Sequence, residues 1–87
     1  MRVVIVFKEF SDHAREVFEW IEQFERRTGR EAEQINPETA DGESFCQAHD
    51  IVEYPTILAI SEDGKVYEQW PGAPLPQIDT VMAYVVS

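Results

Sequence analysis

Three stretches of this sequence carry side chains able to do chemistry: Ser11-Asp12-His13, Cys46 with His49-Asp50, and Tyr54-Pro55-Thr56. Ser11 and His13 would make a hydrolytic pair only if the imidazole could reach the hydroxyl and a third group oriented it. Neighbours this close at a helix start have a simpler reading. Ser11 or Asp12 serves as N-cap, accepting a bond from an orphan backbone N–H, and His13 is a solvated residue of the first turn. A reactive thiolate at Cys46 would need electropositive, exposed surroundings. Its sequence neighbours Glu38, Glu43 and Asp50 favour the neutral thiol instead. A free cysteine also behaves as a small hydrophobe, so Cys46 is expected to be buried and inert. His13 and His49 lie far apart, with no HxxxH or CxxC spacing, and Cys46, His49 and Asp50 on one short helix do not make a metal site. Glu16, Glu19, Glu22 and Glu25 follow a three-residue step along the polar side of a helix, where Glu22 and Arg26 form a supporting i,i+4 pair. They read as a solvated face. No catalytic residue, metal site or cofactor is expected.

Composition narrows the function classes further. Seventeen acidic residues against seven basic ones give a net charge of −10. That opposes binding to a phosphate backbone, which relies on lysine and arginine, so no nucleic-acid partner is expected. It also opposes close self-association, so a monomer or weak dimer is expected. One cysteine in 87 residues allows no intramolecular disulfide, no dithiol pair and no thiolate-rich zinc site. The longest apolar run near the start, Val3–Phe7, is too short for a signal-peptide core or a membrane span. A cytoplasmic location without membrane attachment follows as the expectation. The length suits a single domain, 1–87, and 44% apolar residues with 11% aromatics argue against disorder.

The elements that must position these residues can be read from periodicity. Val3–Phe7 is β-branched and lacks alternation, which suits a strand covered on both faces. Ala14, Val17, Phe18, Ile21 and Phe24 make a helical stripe, ended by Arg26-Arg27-Thr28-Gly29. Glu31–Asn36 allows a short second strand, and Pro37–Asp41 a turn or helix start. Phe45, Cys46, Ala48 and His49 suggest a second helix ending near Asp50. Thr56–Ile60 is a strand, Asp63-Gly64 a turn, and Lys65–Trp70 its alternating partner. Leu75, Ile78, Val81, Met82 and Val85 fit a last helix, with Pro76 in its first turn. A right-handed crossover makes the first two strands parallel, and the hairpin extends the same sheet. The expectation is an α/β fold, βαβαββα, with a four-stranded mixed sheet and three helices.

This order and its punctuation resemble the thioredoxin family, here in a minimal form. The resemblance rests on Ile51-Val52-Glu53-Tyr54-Pro55-Thr56-Ile57-Leu58, where a Pro-Thr pair opens the third strand. Asp63-Gly64-Lys65-Val66 follows at the hairpin, and Gly72 comes before the last helix. It implies a cis Tyr54–Pro55 bond and exposed backbone there, on which extended peptides pair by strand addition. It also implies that Cys46 takes the place of a small core residue. Phe10 and Tyr54 would border the substrate groove, although Phe10 could simply pack over the helix start.

The departure from the family is chemical. The redox members carry Cys-x-x-Cys at the start of the first helix, whereas Ser11-Asp12-His13-Ala14 stands here. A hydroxyl forms no exchangeable disulfide. The expected function is a redox-inactive module that binds a peptide or protein segment through Phe10, Ser11, Asp12, His13, Tyr54, Pro55 and Thr56. The alternative is monothiol or glutathione-linked chemistry that uses Cys46 or a partner thiol. The balance of residues leans away from an enzyme.

Overall fold

The computed structural model describes residues 1–85. Its elements are β1 (Arg2–Val6), α1 (Ala14–Thr28), β2 (Ala32–Ile35), α2 (Ala40–Ala48), β3 (Thr56–Ile60), β4 (Val66–Pro71) and α3 (Ile78–Val85). One mixed sheet has the order β2-β1-β3-β4. β1 runs parallel to β2, with Val3 opposite Ala32 and Val6 opposite Ile35. It runs antiparallel to β3, from Arg2 opposite Ile60 to Val6 opposite Thr56. β3 and β4 form the antiparallel hairpin, with an irregularity between Ala59 and Ile60.

The absence of alternation in β1 is explained by its two covered faces. Val3 and Ile5 pack with Val17, Ile21 and Phe24 of α1 and Val81 of α3. Val4 and Val6 pack on the other face with Cys46, Ile51, Leu58 and Ile60. A strand apolar at every position is what a sheet between helix layers requires. Arg2 ties β1 to β2 at the sheet edge, donating to both carboxylate oxygens of Glu33 at 2.6 and 3.0 Å. That bond holds the Glu33 carboxyl below its ordinary pKa and raises that of Arg2.

α1 departs from the expected stripe at two residues. Phe18 is 47% exposed and touches the core only through an edge contact with the Phe7 ring, centroids 5.2 Å apart. It lies one residue, about 100° of helical turn, past the buried Val17 and so faces sideways. Trp20 takes the buried place instead. Its ring stacks on Phe24 at 5.1 Å, and its indole N–H donates to the Pro76 carbonyl at 2.8 Å, tying α1 to the chain entering α3. Trp20→Phe keeps a ring but leaves that carbonyl without its partner. We expect a loss of about 1 to 2 kcal/mol, read as a lower urea midpoint at unchanged slope. Gly29 ends α1 as expected, at φ 70 with its N–H on the Glu25 carbonyl.

Two further boundaries differ from the sequence reading, and a third decides between two alternatives. The second strand covers Ala32–Ile35 rather than Glu31–Asn36. α2 begins at Ala40, inside Pro37–Asp41, so the helix-start reading of that segment holds. Its first turn is polar and contains Gly42, so no apolar period announces it. Its signal is the cap, where Thr39 accepts from the Gly42 N–H at 3.0 Å. α3 begins at Ile78, and Leu75 and Pro76 lie before it. Its first bonds run from Thr80 and Val81 N–H to the Gln77 carbonyl. Arg27 then ties α3 to α1 through Asp79 at 2.8 Å.

Candidate functional site

The register of the central strands sets the site. Val6 opposite Thr56 is the last pair of β1 and β3. The chain leaving β1 and the chain entering β3 therefore emerge from the same end of the sheet. The first carries Phe10, Ser11, Asp12 and His13, and the second carries Tyr54 and Pro55.

Lys8 joins the two segments, a role that sequence reading missed. Its carbonyl accepts from the Ser11 hydroxyl at 2.6 Å, and its N–H donates to His13 Nε2 at 3.3 Å. Its ammonium lies 5.4 Å from the centroid of the Tyr54 ring, within reach of a cation–π attraction. These bonds correct two expectations. Neither Ser11 nor Asp12 caps α1, because His13 occupies the N-cap position without a side-chain capping bond. The Ala14 N–H reaches the Ser11 carbonyl at 3.2 Å instead. His13 is half-buried rather than freely solvated. Its Nε2 is an acceptor toward an amide, and the Ser11 proton points to a carbonyl, so the two side chains do not form a nucleophile–base pair in this arrangement.

On the other segment the Tyr54–Pro55 bond is cis, as is Ala73–Pro74. Pro55 is buried, and its carbonyl accepts from Gly72 N–H at 2.8 Å. Gly72 stands at φ 73 to make that contact. Thr56 is 1% exposed, and its hydroxyl donates to the Glu53 carbonyl at 2.6 Å. Its side chain is therefore spent inside the fold. Burial raises the pKa of the Tyr54 phenol, and the adjacent Cys46 raises it further. Among the described residues, the backbone N–H and C=O of Tyr54 take part in no intramolecular hydrogen bond. Phe10, 94% exposed, packs over nothing, and Val52 is 84% exposed.

Two clefts flank this end of the sheet. One, of about 450 Å³, lies between the β1–α1 loop and the start of α2 and is lined by Phe7, Glu9, Ile35, Asp41 and Phe45 among others. The second, about 380 Å³, includes Cys46, Asp50, Ile51, Val52 and Tyr54. Of the residues expected from sequence, only Tyr54 lines either cleft. Cys46 itself is 6% exposed and packs on the sheet face opposite α1, away from that helix's N-terminal dipole. Among the described residues no group of three or more His, Cys, Asp or Glu could hold a metal ion, and no helix is long and apolar enough to cross a membrane.

A central antiparallel pair with a parallel β2 beside it, α1 and α3 on one face and α2 on the other, is a thioredoxin-like fold. No family model matches the sequence, and neither does a curated protein. Solved structures do match. Thioredoxin 1 from the thermophilic eubacterium Thermosipho africanus TCF52B is 12% identical at a TM-score of 0.70, over 99% of this chain and 91% of that one. A malarial protein is 11% identical at 0.69, over 97% of this chain and 91% of that one. Identity this low establishes the fold and leaves the chemistry to the residues.

Proposed function

We propose that this chain is a thioredoxin-fold binding module without dithiol chemistry, acting as a single domain, 1–87, in the cytoplasm. It holds an extended segment of a peptide or protein against Tyr54. The observation that carries this reading is the unused Tyr54 N–H and C=O, a donor and an acceptor without an intramolecular partner at a sheet end. Backbone groups left free in this way pair with an incoming extended chain. The exposed side chains of Phe10 and Val52 supply apolar contact nearby. Ser11 and His13 act through Lys8, holding the loop that presents Phe10. With Ser11 and Ala14 where the redox members carry cysteines, no disulfide can be exchanged at this helix start.

The test is a screen of a random-peptide library followed by calorimetry on the best sequence. Binding should shift the Tyr54 amide resonance and weaken roughly tenfold when the facing peptide amide is N-methylated, which removes one hydrogen bond. Phe10→Ser should weaken it comparably without lowering stability, since the ring touches nothing in the free protein. Selected peptides that tolerate every N-methylation and bind Phe10→Ser equally well would sink the proposal.

A further inference from the structure

The cleft of about 450 Å³ beside α2 lies outside the Tyr54 groove and has its own chemistry. Its volume suits a small ligand. The half-buried Ile35 and Phe45 contribute apolar and aromatic surface over the buried Phe7, and the exposed Glu9 and Asp41 contribute carboxylates. No lysine or arginine lines it, and Lys8, in the same loop, is placed over the Tyr54 ring. Among the described residues neither Glu9 nor Asp41 has an ion-pair partner, whereas Glu22, Glu33 and Asp79 do. The neutral polar groups are mostly in use. Asn36 Oδ1 accepts from Glu38 N–H, and the Thr39 hydroxyl donates to Asn36 and accepts from Gly42. The Gln34 side chain, also in the lining, takes part in no hydrogen bond among the described residues.

We propose that this cleft binds an organic cation, an ammonium or guanidinium group carried on a short apolar body. The apolar body would cover Ile35 and Phe45, and the cation would reach Glu9 and Asp41, with Gln34 as a neutral acceptor. The Phe45 ring beside the charge adds a cation–π attraction. An anion drawn to the start of α2 is the competing occupant. It would meet about half a positive charge from the helix dipole against two full negative charges. A neutral apolar occupant would crowd two carboxylates out of water with nothing in return. The overall charge of −10 further concentrates cations at the surface. The site stands independently of the Tyr54 reading.

Phenethylammonium is the probe, with 2-phenylethanol and phenylacetate as neutral and anionic counterparts, each titrated into 15N-labelled protein. Phenethylammonium should shift the Phe7, Asn36, Thr39 and Gly42 amides saturably, and the binding should weaken with added salt. The double variant Glu9→Gln, Asp41→Asn should weaken it about fivefold, as expected for two exposed carboxylates. Glu16→Gln with Glu19→Gln, on the outer side of α1, should leave it unchanged. N-acetyl-arginine amide distinguishes the sources of the cation. Tighter binding than phenethylammonium assigns the cleft to a peptide side chain and weaker binding to a free amine, and either order supports the site. Equal shifts from the alcohol, unchanged affinity in the Glu9/Asp41 variant, or no shift from any cation would overturn the proposal.

Discussion

Replacing Gly42 with alanine is expected to destabilise the protein by about 1 to 3 kcal/mol, opposite in sign to the usual effect. In a helix, alanine is ordinarily better than glycine by about 1 kcal/mol. Here a Cβ would run into the Asn36 carbonyl oxygen and stand 2.7 Å from its carbon and 2.9 Å from Thr39 Oγ1. Neither neighbour can yield cheaply. The Asn36 carbonyl accepts from the Thr39 N–H at 3.2 Å and from its hydroxyl at 2.9 Å. The same hydroxyl caps α2 at Gly42. Overpacking of about 1 to 3 kcal/mol, with a lost cap of about 1, outweighs the gain in propensity. In a domain of this size the melting temperature should fall by about 5 to 20 °C, measured by circular dichroism. Gly29→Ala is the control. A Cβ there meets nothing within 4 Å, and only the left-handed φ of 70 opposes it, a cost of about 1 to 2 kcal/mol. If Gly42→Ala melts as high as the parent, the tight start of α2 is not the native one.

The thiol of Cys46 should react with a bulky aromatic disulfide at least about 100-fold more slowly in the native protein than in urea, because labelling must wait for α2 to open. The thiol packs among Val4, Val6, Leu58 and Ile60, and α2 brings no basic residue in its last turn. An exposed, reactive cysteine needs positive charge or a helix N-terminus beside it. Monothiol or glutathione-linked chemistry requires the opposite result, rapid labelling of the native protein. Insulin reduction should not exceed that of the reductant alone.

Particular residues show how far sequence reading reaches. β3 and its turn were legible because Ile57–Ile60 is apolar throughout and Asp63-Gly64 is a local turn signal. The turn closes as such signals do, with Ser61 N–H on the Lys65 carbonyl at 2.8 Å and Gly64 N–H on the Ser61 carbonyl at 3.0 Å. The Ser61 hydroxyl donates to Asp63, and that bond holds the Asp63 carboxyl below its ordinary pKa. The start of α2 stays open between a turn and a helix in the sequence because its signal is a polar cap and a glycine, with no apolar period. Phe18 and Trp20 exchanged roles because a stripe counted along the chain does not say where α3 and its leading segment will lie. Trp20 is buried by Pro76, 56 residues away.

The same division runs through the site. Local periodicity and residue identity were enough for the layered α/β order, the negative charge, and the absence of a cysteine pair at the start of α1. The folded arrangement, and nothing local, makes Lys8 bridge Ser11, His13 and Tyr54 and spends Thr56 internally. It also brought Glu9 and Asp41 to one apolar cleft, from segments that meet only through the parallel pairing of β1 and β2. Those relations come from strand register and long-range packing, which bring together groups that no local pattern links.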